Sequence, residues 1–408
     1  MAVITQETNL RRAIKRLTTS TGASADFVSE PSALSTERSP HVVVYDARHH
    51  EALPEDFLKR LAPEARILCI IDRDQLMRKV GLLDDPRVDS LFCHDERFDD
   101  EEFIASATKA LRGEVFGLQK YFPWGVTAFS ILVKSYQDKS AAIDVLLEYA
   151  TLAGVRGPVK DRVQLVCDEL IMNALYHAPV DDLGNEKYAG RTVKELAQLP
   201  EVSPIRVQYA HSGRYFGVSV RDGFGSLSRA RLLEYLKKAH AGASMEDKAG
   251  GAGLGLVSIL RSTSKLVFNL QPGSATEAIG LFDMELFGKG HPGARSLHVF
   301  NAAENEERQE DRGREARQDK PPLASTKLWA TVAALCVVLG VLIGALLLRS
   351  KRSAKAEPTA PPAPALIVID NNIKGTQVEL GGVVVSPGQP VEVPAGPSPV
   401  PLVIRKSE

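Results

Sequence analysis

Short apolar runs alternate with helical stretches over the first 112 residues of the chain. The runs HVVVYD and RILCIID are rich in Val, Leu and Ile and lack polar alternation, which is typical of strands buried on both faces of a parallel sheet. Amphipathic stretches such as NLRRAIKRL lie between these runs. Strands and helices in alternation predict a doubly wound α/β domain over residues 1–112.

The pattern changes after a connector with little periodicity at residues 113–127. The segment PVKDRVQLVCDELIMNALYHA predicts a helix with one apolar stripe and a proline in its first turn. Two alternating runs, IRVQYAH and RYFGVSVRDG, then predict an antiparallel hairpin, and KLVFNL and AIGLFDMELF predict further strands. Helices grouped with antiparallel strands predict an α+β two-layer sandwich over residues 128–290.

An apolar run extends from Leu328 to Leu348 without a charged residue, which is long enough to cross a bilayer as a helix. We therefore expect a single transmembrane helix over residues 327–349. Gly340 and Gly344 have the spacing that lets two such helices pack closely, so a homodimer is one expectation. A charged linker, a Pro/Ala stalk and a small β region are predicted at residues 291–326, 350–365 and 366–408.

Composition narrows the classes of function. A chain of 408 residues is longer than one ordinary core requires, so several domains are expected. With 50 Lys and Arg against 51 Asp and Glu the formal net charge is −1, and we expect no nucleic-acid partner. The four cysteines lie far apart and form no CxxC pair, so neither a zinc site nor a disulfide framework is predicted.

One face of the predicted helix carries a carboxylate and an amide. Glu169 and Asn173 are four residues apart, and His177 lies four residues further, so all three project from neighbouring positions. Taken alone, this face is better explained as a solvated helix surface, and His177 at least as well as a packed or capping residue at a helix end.

Two glycine-rich turns follow this helix in the chain. Asp222 ends a predicted strand and is followed by Gly223 and Gly225, where a carboxylate can accept a hydrogen bond from an amine and the backbone can approach a flat ring. A second turn precedes an apolar helix, where exposed backbone N–H groups favour phosphate. Its sequence is neither a P-loop nor a dinucleotide fingerprint. The glycines of this second turn are Gly251, Gly253 and Gly255.

The order of these three motifs resembles that of the GHKL (histidine kinase-like) ATP-binding superfamily, over about residues 128–290. The box Glu169-x-x-x-Asn173-Ala174-x-x-His177 is similar to that of the anti-sigma-factor serine kinases. The resemblance implies a Bergerat ATP-binding fold in which Asn173 ligates Mg²⁺ and Glu169 acts as general base towards a serine hydroxyl or water.

The same resemblance implies roles for the glycine turns. Asp222 would accept the adenine amine, with Gly223 and Gly225 behind the ring, and residues 226–249 would form a lid. The turn around the phosphates would consist of Gly251, Gly253 and Gly255. One departure is that the first box is one residue shorter than the family's Asp-x-Gly-x-Gly.

The first domain resembles a response-regulator receiver with a flavodoxin-like fold. Asp46, at the end of the HVVVYD run, has the position of the phospho-acceptor. Gln6 and Glu7 stand where receivers carry an acidic pair, and the segment SLFCHDERF supplies no lysine, so we expect a degenerate receiver used for docking. The last forty residues faintly resemble small β domains of the PEGA type.

These expectations combine into a membrane-anchored bacterial signalling protein that binds ATP and Mg²⁺. It would phosphorylate Ser or Thr of a partner, either an anti-anti-sigma-like protein or a sigma factor. The alternatives are an ATP-responsive binding module without phosphotransfer and an atypical histidine kinase, although residues 113–160 contain no histidine. We expect the N-terminal domains in the cytoplasm, the helix in the cytoplasmic membrane and the C-terminal region outside.

Overall fold

The computed structural model describes most of residues 1–302 and five short strands between residues 365 and 406. The gaps within the first part are residues 35–38, 95–97, 182, 200, 241–251 and 286–292. The chain divides into two compact units, Met1–Lys320 and Pro321–Glu408.

The first five strands are parallel to their neighbours and follow the order β2-β1-β3-β4-β5, which is that of flavodoxin-like doubly wound sheets. These strands are β1 (Ala2–Ile4), β2 (Asp26–Val28), β3 (Val42–Asp46), β4 (Arg66–Asp72) and β5 (Val88–His94). The helices are α1 (Thr8–Thr21), α2 (Glu55–Arg60), α3 (Leu76–Lys79) and α4 (Asp100–Arg112). Because α1 and α4 cover one face and α2 and α3 the other, the Val- and Ile-rich strands are buried on both sides.

The remaining strands of this unit are antiparallel to their neighbours, except that β11 runs parallel to β9. They are β6 (Phe129–Val133), β7 (Ile205–His211), β8 (Tyr215–Asp222), β9 (Lys265–Gln271), β10 (Ala275–Asp283) and β11 (Ser296–Asn301). The helices are α5 (Tyr136–Leu152), α6 (Gly157–Met172), α7 (Val193–Ala197), α8 (Arg229–His240) and α9 (Ala252–Ser262). A short π-helix, Asn173–His177, continues α6.

The predicted connector at residues 113–127 supplies part of a core. Val115, Leu118 and Tyr121 are buried against β9, β10 and β11, on one face of the sheet. Gly217 lies opposite this segment, and a Cβ at that position would approach the Phe122 ring to 2.7 Å. The connector therefore covers the sheet, although its sequence shows no clear period.

The predicted fold class, with a receiver-like sheet and a separate two-layer sandwich, is wrong. Strands β1 to β11 of the first unit form one mixed sheet in the order β2-β1-β3-β4-β5-β11-β9-β10-β8-β7-β6. The reason is β11, which pairs with β5 on one side and with β9 on the other, at Leu297↔Leu91 and Leu297↔Leu266. This strand lies within the segment predicted as the linker 291–326.

A buried polar cluster joins the two halves of this sheet, and we call it the junction cluster. Its members are Asp99, Glu102, Tyr215, Lys265 and His298. The Lys265 ammonium contacts Asp99 Oδ2 at 2.6 Å and Glu102 Oε2 at 2.8 Å. His298 Nε2 lies 2.9 Å from Glu102 Oε1, and Tyr215 donates to Asp99. The cluster therefore links α4 of the first half to β8, β9 and β11.

The predicted transmembrane helix is a second correction to the fold class. Within the part of the chain that the structure describes, no helix is long and apolar enough to cross a membrane. Even the 17-residue α5 carries Lys, Asp and Glu side chains. The segment 327–349, with Gly340 and Gly344, lies outside the described residues, as do most of the predicted linker and the stalk.

The second unit contains short antiparallel strands. One pair is β12 (Ala365–Val368) with β15 (Pro390–Val393). A three-stranded sheet has β13 (Thr376–Leu380) between β14 (Val383–Val385) and β16 (Leu402–Lys406).

Candidate functional site

A cavity lies between the sheet and four helical segments of the first unit. Strands β8, β9 and β10 form its floor through Val220, Phe268 and Ala278. The end of α6, the π-helix, α8 and α9 form its walls, with apolar side chains such as Leu232 and Ile259. The polar lining side chains are Asn173, His177, Glu186, Asp222, Ser226, Arg231, Tyr235 and Thr276. The fold thus brings Asn173 and Asp222 to one cavity, as the motifs predict.

Asp222 lies at the floor of the cavity and is only 6% exposed. Its Oδ1 accepts hydrogen bonds from the backbone N–H groups of Phe224 at 2.8 Å and Gly225 at 3.2 Å. Burial raises the pKa of this carboxyl, and these backbone hydrogen bonds only partly offset the effect. The site therefore holds a buried acceptor with an unusual proton affinity.

Thr276 stands directly beside Asp222, because β10 and β8 pair Thr276 with Asp222 in register. The threonine is 7% exposed and lines the cavity. No described residue forms a hydrogen bond with its buried Oγ1. Buried hydroxyl groups normally have a hydrogen-bond partner, so this hydroxyl is free to bond with a polar group or water that reaches the floor. The sequence analysis missed Thr276, because only the strand register brings it next to Asp222.

The two glycines after Asp222 have different structural roles. Gly225 has φ +59°, and a Cβ there would lie 2.3 Å from the Gln271 carbonyl oxygen and 2.5 Å from the Ser274 nitrogen. The Gly225 carbonyl in turn accepts a hydrogen bond from Gly273 N–H at 3.0 Å. Gly223 meets no atom within 4 Å of its hypothetical Cβ. Gly225 is therefore required by close packing against the β9–β10 turn.

Asn173 begins the π-helix, whose wide turn is closed by a 2.8 Å hydrogen bond from Ala178 N–H to the Asn173 carbonyl. Asn173 and His177 are exposed at the cavity, while Leu175 and Tyr176 between them are buried. Single π-turns inside helices occur often at functional sites. Both polar side chains of the motif therefore face the same opening.

Glu169 lies outside the described lining of the cavity. Its half-buried carboxylate contacts α9, since a Cβ on Gly255 would lie 2.3 Å from Glu169 Oε2. Burial raises the pKa of Glu169, and the neighbouring Asp168 raises it further. Gly255 thus makes room for this carboxylate. Gly253 also lies in α9, whereas Gly251 is outside the described residues.

A set of polar side chains surrounds the outer part of the cavity, and we call it the mouth cluster. It consists of His177, Glu186, Arg231 and Tyr235. Arg231 donates to Glu186 Oε1 at 2.5 Å and to the Tyr235 hydroxyl at 2.7 Å. Glu186 Oε2 lies 3.3 Å from His177 Nδ1. Glu186 and Arg231 were missed in the sequence, because neither belongs to a motif.

Asp46, the predicted phospho-acceptor, lies at the end of β3, far along the sheet from this cavity in strand order. The Arg48 guanidinium donates hydrogen bonds of 2.8 Å to both carboxylate oxygens of Asp46 and also lies 2.6 Å from Glu7 Oε2. Thr5 donates a further hydrogen bond at 2.6 Å. Burial favours a raised pKa for Asp46, but the bonds from Arg48 and Thr5 hold it below the ordinary value. The carboxylate is therefore already neutralised by its own chain.

The chain matches no protein-family model and no curated protein. Among the described residues, no group of three or more His, Cys, Asp or Glu side chains is arranged to hold a metal ion. The cavity itself is therefore the basis for assigning a function.

Proposed function

We propose that the cavity binds Mg-ATP and that the protein transfers the γ-phosphoryl group to Ser or Thr of a partner protein, as the resemblance to anti-sigma-factor kinases implies. The observation that carries the proposal is the buried pair of Asp222 and the unsatisfied Thr276 at the floor of an apolar cavity. An apolar slot with a few convergent polar groups is the usual form of a small-molecule site.

The floor fits an adenine ring. Val220, Phe268 and Ala278 offer apolar contacts to a flat heterocycle, and the Asp222 carboxylate can accept a hydrogen bond from the exocyclic amine. The Thr276 hydroxyl can donate to a ring nitrogen, directly or through water. Both groups lie at the same end of the cavity, so they would fix the orientation of the base.

The cation would be held by the Asn173 amide oxygen together with phosphate oxygens and water. Mg²⁺ commonly binds one or two protein ligands plus substrate phosphates, so a single amide fits the donor set. When bound, the ion neutralises charge on the phosphates. Asn173 would also position the phosphate chain, because its exposed side chain lines the cavity.

Glu169 is the proposed general base, one helical turn before Asn173. Burial raises its pKa, which makes the carboxylate a stronger base towards a hydroxyl proton. The partner would be an anti-anti-sigma-like protein or a sigma factor, whose Ser or Thr hydroxyl approaches from the side of Glu169.

A second candidate is an ATP-responsive binding module without phosphotransfer. The position of Glu169 favours it, because this carboxylate lies against Gly255 rather than on the described lining of the cavity. In that case ATP would alter affinity for the partner, and Glu169 would only support the α6–α9 contact.

Calorimetric titration with Mg-ATP tests the binding step on the full chain. Asn173→Ala should weaken Mg-ATP binding by about tenfold or more, because it removes a metal ligand. Gln164→Ala removes an exposed amide from the same helix and is the matched control. Equal affinities in the wild type and Asn173→Ala would contradict the magnesium assignment.

Labelled ATP then separates the two candidates. The kinase is supported if the wild type transfers label to a partner hydroxyl and Asp161→Asn retains this transfer. Glu169→Gln should lose the transfer while it still binds ATP. Asp161 is an exposed carboxylate on the same helix and serves as the control. Binding without transfer in the wild type supports the module.

A further inference from the structure

The mouth cluster places a charged pair where the cavity opens to solvent. The side chains of His177, Glu186 and Arg231 are 48%, 21% and 41% exposed, in contrast to the buried Asp222 and Thr276 at the floor. On the proposed function, a nucleotide whose base lies on the buried floor would extend its phosphates towards this exposed cluster. Among the described residues of the lining, Arg231 is the one permanently charged cation.

Helix α8, which carries Arg231, contacts other parts of the first unit on both sides of this residue. Two residues earlier, the Arg229 guanidinium donates to the carbonyl oxygens of Val299 at 2.9 Å and Leu83 at 3.0 Å, and also to that of Val88. Further along α8, Lys237 contacts Asp84 Oδ1 at 2.6 Å. These contacts of α8 do not involve the Arg231 guanidinium, so Arg231 can change its partner by rotating its own side chain.

Resting on the proposed function, we infer that Arg231 is a specificity-determining residue that selects nucleotides carrying a phosphate chain over nucleosides. Glu186 is its partner in the free protein, and phosphate oxygens replace the Glu186 carboxylate on the guanidinium when the nucleotide binds. A guanidinium suits both partners, since its planar fork binds carboxylate and phosphate alike. Tyr235 keeps the guanidinium oriented, because its hydroxyl accepts a hydrogen bond from Arg231 Nε–H.

The exchange predicts effects of opposite sign at the two members of the pair. Arg231→Gln removes the cation and should weaken binding of ADP and ATP. Glu186→Gln removes the competing carboxylate and its repulsion of phosphate, so it should strengthen the same binding. Neither change should alter binding of adenosine, which carries no phosphate. If the ion pair had a purely structural role, both variants would change the affinity for all three ligands in the same direction.

Calorimetric titration of the full chain with adenosine, ADP and ATP, each with Mg²⁺, tests the inference. We expect Arg231→Gln to weaken ADP and ATP by about tenfold while adenosine changes by less than about twofold. Glu186→Gln should strengthen ADP and ATP by roughly threefold or more. Lys238→Gln and Glu234→Gln alter a charged pair on α8 whose members are not part of the described lining, and serve as controls. Circular dichroism of each variant verifies that it is folded.

The outcomes separate this inference from the proposed function. If the wild type binds none of the three ligands, the nucleotide function itself is overturned. If the wild type binds them and the ratio of ADP affinity to adenosine affinity is the same in Arg231→Gln as in the wild type, only the inference is overturned. Shifts of the same sign in Arg231→Gln and Glu186→Gln would likewise overturn it.

Discussion

The junction cluster offers a direct test of why the sheet is continuous. Lys265→Met keeps most of the side-chain volume but removes the ammonium that contacts both Asp99 and Glu102. These two carboxylates then lie buried without their main counter-charge, which costs about 3–5 kcal/mol in comparable buried pairs. His298 still contacts Glu102, and Arg214 still lies 3.4 Å from Asp99 Oδ2, so each carboxylate keeps one weaker partner and the loss should lie at the lower end of this range.

The pKa of Asp99 gives a second way to judge how much the junction cluster contributes to the free energy of unfolding. Burial would raise it, but the charge and hydrogen bond of Lys265, together with hydrogen bonds from Tyr215 and the Glu102 backbone, lower it to about 2 from an ordinary value of 3.8. A carboxyl whose folded pKa is depressed by this much contributes about 2 kcal/mol of stability above the unfolded pKa. That stability is lost as the pH falls towards the folded pKa. The pKa of Glu102 is lowered as well, so its contribution has the same sign.

Urea unfolding followed by circular dichroism measures the effect. At neutral pH we expect Lys265→Met to lose about 3 kcal/mol in free energy of unfolding relative to the wild type. The difference should shrink below about pH 5, because the unpaired carboxylates of the variant take up protons. Lys238→Met removes an exposed lysine and should change stability by less than about 0.5 kcal/mol. A loss below about 1 kcal/mol, or a difference independent of pH, would refute the reasoning.

Two further predictions concern the floor of the cavity. Gly225→Ala should lower the free energy of unfolding by more than about 1 kcal/mol in the same urea assay, because the new Cβ would clash with the β9–β10 turn and the backbone there is left-handed. Gly223 has open space around it, so Gly223→Ala should have a smaller effect and serves as the control. Burial raises the pKa of Asp222, so Mg-ATP affinity should fall on mild acidification as this carboxyl gains a proton and stops accepting. In calorimetric titrations across pH the Asp222→Asn variant should lack this component, and an identical pH profile in both proteins would contradict the assignment.

Local patterns pointed to two residues that line the cavity. The spacing of Glu169 and Asn173 on a helix, and the Asp222-Gly223 turn after a strand, are properties of short stretches of chain, and the structure brings Asn173 and Asp222 to one cavity. Thr276 depends on the register between β10 and β8, which no short segment specifies. Arg231 is a similar case, because its partner comes from a distant loop.

The sheet shows the same division between local and long-range information. Apolar runs such as RILCIID predict buried strands, and β4 is such a strand. The pairing of β11 with both β5 and β9 depends on contacts between segments about 200 residues apart, as between Leu297 and Leu91. The junction cluster, with Lys265 and Glu102, is likewise formed only in the folded chain. Apolar runs therefore predict strands without predicting that they share one sheet.

The continuity of the sheet also bears on how the cavity is built. Helix α8 forms one cavity wall, yet Arg229 at its start donates hydrogen bonds to the carbonyl oxygens of Val88 in β5 and of Leu83 in the turn before β5. Lys237 of the same helix pairs with Asp84. The flavodoxin-like half therefore supports the wall that carries Arg231 and Tyr235. Since Arg48 already neutralises Asp46, this mechanical support is a role that the first half can perform without phosphorylation of its own.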